Sequence, residues 1–463
     1  MKIFINMKKI NLLDEDIYKL FIKIALPASI GTIFNNLYSL VDTIFAGRMI
    51  SETALAAIGQ TFPVYFIIIA LGIGLSIATT SNVANSLGEK NIKKASHAFS
   101  QSFVLTILVG LGITIFGLYF GNIILESIND DPKTLKLSSL YMNVIYLGSV
   151  VILLLMVCNS CLSAQGDTKS YRDVLIFSFF LNIILNPILI SGKIINFELF
   201  APMGITGIAI ATILSQIIGL LYLLYKIYRT EIFEKFKNNY LIPKLSLIKE
   251  ISFQAIPAAL GLMMIALGSY ILLFFVSRFG NDAIAGFSSA GRYEQLLFLP
   301  LLGLSTAVTA IVGQNFGAKN YERILETYNK AMITGVIILT IAGLILFITA
   351  EDSMRLFTDD KEVIYYGSIY LKIYALGFPA FPFFFISNAS FQGLKKAIIV
   401  MYMAILRFVL VPIIVILFVN NFIEENYIYM FIGLTLVHWI IGILYYFYSS
   451  NKIRNIQSSY TTP

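Results

Sequence analysis

Charge is the scarcest commodity in this chain: only 13% of its 463 residues are Asp, Glu, Lys or Arg, against roughly 25% in an ordinary soluble domain. That shortage argues against a soluble globular enzyme. Cysteine is nearly absent too. Cys158 and Cys161 sit inside an apolar run, where they read as two small buried residues one helical turn apart rather than a redox or metal pair. There are only two histidines, His97 and His438, and no H-E-x-x-H or G-x-S-x-G constellation, so no enzyme activity and no cofactor are expected. His97 lies near a basic loop and His438 beside the sole Trp439, which suggests interfacial placement. The first residues lack a short apolar core before a small-residue cleavage site, so no cleavable signal peptide is expected. The net charge of +7 is scattered between apolar runs instead of gathered on one face, which excludes nucleic acid as a partner.

What is abundant is apolar: 58% of the residues are hydrophobic. A membrane-spanning helix needs about 20 mostly apolar residues. Breaks at charged, Gly and Pro positions mark twelve such runs, near 20–46, 53–86, 95–121, 137–163, 170–191, 203–228, 247–277, 283–314, 326–349, 364–390, 397–419 and 427–449. They are numbered helices 1–12 below. None alternates with period two, which excludes a membrane barrel. The fold class expected is an all-α polytopic membrane protein. Cytoplasmic loops collect Lys and Arg, and about 23 of the 33 basic residues fall on the side of the two termini against about 7 opposite. Both termini are therefore expected in the cytoplasm, with the plasma (inner) membrane as the location.

The sequence is also duplicated. Ala25-Leu26-Pro27-Ala28 matches Ala255-Ile256-Pro257-Ala258, Gly74-Leu75-Ser76 matches Gly303-Leu304-Ser305, and Leu87-Gly88-Glu89-Lys90-Asn91 matches Phe316-Gly317-Ala318-Lys319-Asn320. Gln165-Gly166 is paired with Gln392-Gly393, and Leu181 to Pro187 with Leu406 to Pro412. Each half holds an even number of spans, so both enter the membrane in the same direction. Two parallel six-helix repeats, forming two lobes around a central cleft, make a secondary-transporter architecture. The expected division is 1–228 for the N-terminal lobe, 229–250 for a basic cytoplasmic linker and 251–463 for the C-terminal lobe. A monomer suffices, since the two repeats already supply both lobes.

Several phrases in this order resemble the multidrug and toxic compound extrusion (MATE) family. They are Ala25-Leu26-Pro27, Leu40-Val41-Asp42-Thr43 with Ala46-Gly47, Ala164-Gln165-Gly166-Asp167-Thr168, Gly207 to Thr212, and Gly313 to Ala318. The resemblance implies export of amphipathic, often cationic, organic compounds in exchange for protons or sodium, by alternating access. The competing expectation is a lipid-linked oligosaccharide flippase of the related exporter group. That function would call for a more cationic cavity.

Ionisable groups inside spans are costly and are functional candidates by default. Of the 26 acidic residues only Asp42 and Glu294 lie deep within spans, away from their ends, alongside the basic Arg292 and Arg407, with Lys372 near a helix end. Asp42 is six residues before Arg48, about 9 Å of helix rise inside that end. A carboxylate there is either protonated or held beside a cation, so it can couple ion binding to conformation. The resemblance adds Asn182, Asn186 and Thr212 to the Asp42 pocket as cation-coupling residues, and Asn159 as a substrate contact. Asn182 and Asn186 share one helix face, where their oxygens could ligate sodium with Asp42 or simply glue helices together. Many family members have an aspartate at the position of Asn186, and its loss weakens the case for a charge-rich sodium site. Residues 251–277 and 364–390 contain no Asp or Glu, so a C-terminal cation site of the kind one branch uses is not supported. Glu294 is a second coupling candidate, and Arg292 two residues away points elsewhere.

Tyr38 shares the Asp42 face and Asn35 lies two turns back; both are candidate substrate contacts, an aromatic beside a carboxylate suiting an amphipathic cation. Pro27 and its mate Pro257 remove a backbone bond inside helices 1 and 7 and are candidate hinges. Pro379 and Pro382 should make helix 10 irregular.

Overall fold

The computed structural model describes residues 10–194 and 197–461, and nearly all of them are helical. Among the described residues eleven helices are long and apolar enough to cross a membrane by themselves: Ile17–Ile50, Glu52–Gly88, Ile92–Ile128, Pro132–Ser163, Lys169–Ser191, Ile205–Tyr228, Leu245–Phe279, Leu299–Gly317, Tyr321–Arg355, Ala397–Phe422 and Tyr427–Ile456. A twelfth span, helix 10, is the pair Lys361–Ala375 and Phe378–Gly393, bent by 43° at the turn that carries Pro379. All twelve expected helices are present, and helix 10 is irregular where its prolines require it. Helix 8 is also broken: Asn281–Leu297 ends at Phe298, and Leu299–Gly317 restarts with Pro300 in its first turn. A short antiparallel hairpin, Lys193–Ile194 with Phe197–Glu198, joins helices 5 and 6.

The surface is the inverse of a soluble protein. Large apolar side chains such as Ile22, Leu111, Tyr119, Ile348 and Phe422 point outward, whereas Ser, Thr, Asn and Gln are buried. Lipid tails are as apolar as leucine, so exposing leucine to them costs nothing, while a polar group must find a partner inside the protein. Helices 4 and 8 are the most enclosed and helices 3, 11 and 12 the least. Cys158 and Cys161 are buried free thiols packed with Val83, Leu155 and Leu223, as the sequence suggested.

The duplication is most exact at the helix ends. Helix 2 closes with Asn91 N–H donating to Ser86 O (3.0 Å) and Lys90 N–H to Leu87 O (2.9 Å); helix 8 closes with Asn320 to Asn315 (2.9 Å) and Lys319 to Phe316 (3.1 Å). These are Schellman caps, which place one residue in the left-handed region. Lys90 and Lys319 occupy it at φ 56° and 57°. The next residue then caps the following helix, Asn91 accepting from Lys94 N–H and Asn320 from Arg323 N–H. The same cap recurs after helix 4 at Gly166 (φ 86°) and inside the loop after helix 10 at Lys395 (φ 58°). Gly166 is thus the mate of Lys395, with the spacing that separates Lys90 from Lys319. Pairing Gln165-Gly166 with Gln392-Gly393 is therefore out of register by two residues.

Two compact units emerge, and their limits differ from the 228/251 division. One runs from Ile30 to Ala259; the other combines Asn11–Ser29 with the chain from Leu260 on. Helix 1 begins in the second unit and passes into the first, while helix 7 does the reverse. Glycines mark both passages. Within the first unit a Cβ on Gly74 would lie 2.9 Å from Ala259 Cβ, and within the second a Cβ on Gly303 would lie 2.9 Å from Ser29 N. Only hydrogen permits so close a helix crossing. The segment 229–250 is itself structured. It holds the short helix Glu231–Glu234 and the turn Asn238–Leu241. Gln101 Nε2 donates to Tyr240 O and Ile242 O, Gln101 Oε1 accepts from Lys244 N–H, and His97 stacks on Tyr240 at 4.5 Å.

Candidate functional site

In the first unit Asp42 is 6% exposed and Asn182, Asn186 and Thr212 are buried. Three helices meet there. Asn186 Nδ2 donates to Asp42 Oδ1 at 2.9 Å and also to Asn182 Oδ1 at 2.9 Å, and Thr212 Oγ1 donates to Asp42 Oδ2 at 3.0 Å. The one-turn spacing of Asn182 and Asn186 lets a single amide tie both neighbours. Asp42 has no cationic partner within ion-pairing distance among the described residues, so its support comes from neutral donors, chiefly Asn186 and Thr212 with Asn182 beside them. Asn182 Nδ2, Asn186 Oδ1 and the Tyr38 hydroxyl are buried without a partner among the described residues. Such groups are uncommon in native interiors and mark places where chemistry, not packing, sets the residue.

The four sequence-nominated coupling residues of this unit are thus brought into one network. Tyr38 is within electrostatic reach of Asp42. Asn159 is not tied to Asp42: its Oδ1 accepts from Ser163 Oγ at 3.2 Å, one turn along its own helix. Asn35 is exposed. Tyr65 and Tyr141 also lie close enough to Asp42 to feel its charge, and no sequence argument had singled them out. With 26 tyrosines and no local motif, they carried no signal in one dimension.

Glu294 belongs to the second unit and to a different environment. Tyr370 donates its hydroxyl to Glu294 Oε2 at 2.6 Å, and Tyr374, one turn on from Tyr370, lies beside it. Arg407 is near but forms no ion pair with Glu294, and Arg292 is exposed, as its position two residues along had suggested. His438 is not interfacial: its ring packs between Phe381 and Phe384 at 4.4 and 4.8 Å, eleven residues into helix 12. Trp439 instead donates to Leu376 O at 2.9 Å. Among the described residues no cluster of three or more His, Cys, Asp or Glu is placed to hold a metal.

A duplicated helical chain with one carboxylate network in helix 1 narrows the family sharply. The MatE family model matches residues 27–188 and again 257–418. The chain belongs to the MatE family. It is similar to the "Probable multidrug resistance protein NorM" of Thermotoga maritima, at 29% identity over 378 residues and 82% of this chain and 79% of that protein. It is also similar to an FAD transporter of Shewanella oneidensis, at 28% over 365 residues, 78% of this chain and 79% of that one. Among solved structures, a multidrug resistance MATE family transporter in an outward-facing conformation shares the fold with a TM-score of 0.89 at 24% identity, over 97% of this chain and 99% of that one. This MatE protein is an integral membrane transport protein, and it acts on small molecules. The two matched segments are the two repeats that the sequence showed.

Proposed function

We propose that this MatE protein is a secondary antiporter that exports amphipathic organic compounds by alternating access, driven by protons or sodium bound at Asp42. The observation that carries the reading is the buried carboxylate of Asp42 supported by neutral groups, Asn186 and Thr212 foremost. Placing a lone charge at membrane depth is costly, so such a group favours a bound cation or proton. Protonation has a ready site. A proton on Oδ2 would turn that oxygen from acceptor to donor, and the Thr212 hydroxyl can reverse its own role to accept it, whereas the Asn186 amide N–H cannot. Sodium would instead recruit carbonyl oxygens, and Asn182 and Asn186 supply two beside the carboxylate. Either ion removes the charge to which the helix 1, 5 and 6 contacts are tuned.

Helix 1 can relay that change. The chain crosses from one compact unit to the other at Ser29, two residues after Pro27, and again at Ala259, two residues after Pro257. Both helices run through their prolines without a break, so bending there would be a change of state rather than a fixed kink. The concentration of Lys and Arg on the side of the two termini supports a cytoplasmic placement of both, in the plasma membrane. Labelling of cysteines introduced at Lys90 and Asp131 with a membrane-impermeant reagent outside intact cells should modify the second and spare the first.

Efflux from proteoliposomes, with proton and sodium gradients imposed separately, tests the coupling. One gradient should drive export by the wild type, and Asp42→Asn should lose the response to it. Full driven export by Asp42→Asn would refute the assignment.

A further inference from the structure

We propose that the second unit carries a binding subsite, centred on Arg407, for the anionic group of an aromatic amphiphile. This goes beyond the coupling at Asp42 and does not depend on it. Arg407 stands ten residues into helix 11, about 15 Å along the helix, within the wide turn Leu406–Leu410. Such π-turns are frequent at functional sites. The guanidinium carbon lies 4.1 Å from the ring centre of Phe384, 4.7 Å from Phe381 and 4.8 Å from Phe408. Ring faces attract the charge, but they accept nothing from the N–H groups that point outward in the guanidinium plane.

Those donors are the unexplained feature. Among the described residues Arg407 donates no hydrogen bond and meets no carboxylate within 4.0 Å. The nearest acid, Glu294, is engaged by Tyr370. An arginine kept at this depth for packing alone would satisfy its donors with backbone carbonyls or a carboxylate. Its planar fork fits a carboxylate or phosphate in two parallel bonds. The residue as a whole is half-buried, and burial of its charged head makes an anionic partner more valuable there. Phe381 and Phe384 are buried against other rings, so the face left for an aromatic body is that of the half-buried Phe408. The other titratable groups around Arg407 are Glu294 and Tyr374, which feel its charge, and His438, which shares Phe381 and Phe384. Glu294 is the only acid in that set, so it competes with the ligand for Arg407.

Equilibrium dialysis of three probes against the full chain in nanodiscs tests this: 1-naphthylacetate, its neutral amide, and the 1-naphthylethylammonium cation. The anion should bind about tenfold more tightly than the amide, the ratio expected of one charge-assisted contact. Arg407→Gln should erase that ratio while leaving amide binding in place, Arg407→Lys should keep part of it, and Glu294→Gln should enlarge it. Arg292→Gln, an equal loss of charge on an exposed residue, should leave it unchanged. Amide binding retained by Arg407→Gln also shows that this variant is folded; if it is not, Arg407→Lys and Glu294→Gln carry the decision. Equal binding of anion and amide to the wild type, preference for the cation, or a ratio indifferent to both Arg407→Lys and Glu294→Gln would overturn the proposal. Because only binding is read, these results stand whether or not Asp42 couples transport.

Discussion

Asp42 and Glu294 are acids deep within spans, one in each compact unit, yet their surroundings share little. Asp42 is held by an amide and a hydroxyl from helices 5 and 6. Glu294 takes a phenol from helix 10 and stands near an arginine wrapped in phenylalanine. The helix caps and the glycine crossings, by contrast, repeat almost atom for atom in the two halves. Backbone needs are the same in both repeats, since every helix end has orphan carbonyls and every tight crossing excludes a Cβ. A polar group at membrane depth answers only to its particular partners, so that is where two copies of one ancestral unit are free to diverge.

The largest test of that contrast is at the carboxylates. Asp42→Asn should lower gradient-driven efflux by at least about tenfold, a loss of roughly 1.4 kcal/mol or more in driving contacts, while Glu294→Gln should change substrate preference more than ion dependence. Equal loss of ion dependence in both would show two equivalent coupling sites and dissolve the contrast. The conserved scaffold predicts the opposite symmetry. Gly74→Ala and Gly303→Ala should destabilise the protein comparably, by about 1–3 kcal/mol from overpacking, read as lowered thermal stability in detergent. Gly112→Ala, with nothing within 4 Å of a new Cβ, serves as the neutral reference.

Smaller effects are expected at the caps. Lys90→Gly and Lys319→Gly should each stabilise by up to about 1 kcal/mol, because glycine takes the left-handed conformation without strain; a matching pair of shifts would confirm the register that also joins Gly166 to Lys395. The smallest concerns Asp131, which caps helix 4 by accepting from Thr134 N–H and Oγ1. Those bonds hold its carboxyl below the ordinary range. A depressed native value means that its stabilisation is complete above the ordinary carboxylate pKa and fades as pH falls through the lowered one. Asp131→Asn should remove that part of the acid dependence in a thermal-shift titration, and an unchanged profile would leave the cap without electrostatic weight.

Much of this protein was legible before any coordinates. Charge scarcity fixed the class, apolar runs fixed twelve helices, and the matched phrases revealed the duplication, because all three are patterns along the chain. Asp42, Asn182, Asn186 and Thr212 could be nominated together, though only the family resemblance linked them. Contacts between distant segments were not legible. The partners of Glu294 and Arg407, the nearby Tyr65 and Tyr141, and the mid-span packing of His438 lie among residue types too common in this chain to stand out. Likewise, helices 1 and 7 were assigned whole to one lobe each, since nothing local tells a helix which neighbours its two ends will meet.

By itself the sequence determined that this chain lives in a bilayer, in two parallel copies of six helices, because hydropathy, positive charge and repetition are local and additive. Tertiary structure alone decided which polar groups face one another and where the chain passes from one compact unit to the other. In a membrane interior a buried charge is defined by its partners, and those partners come from helices far apart in the chain.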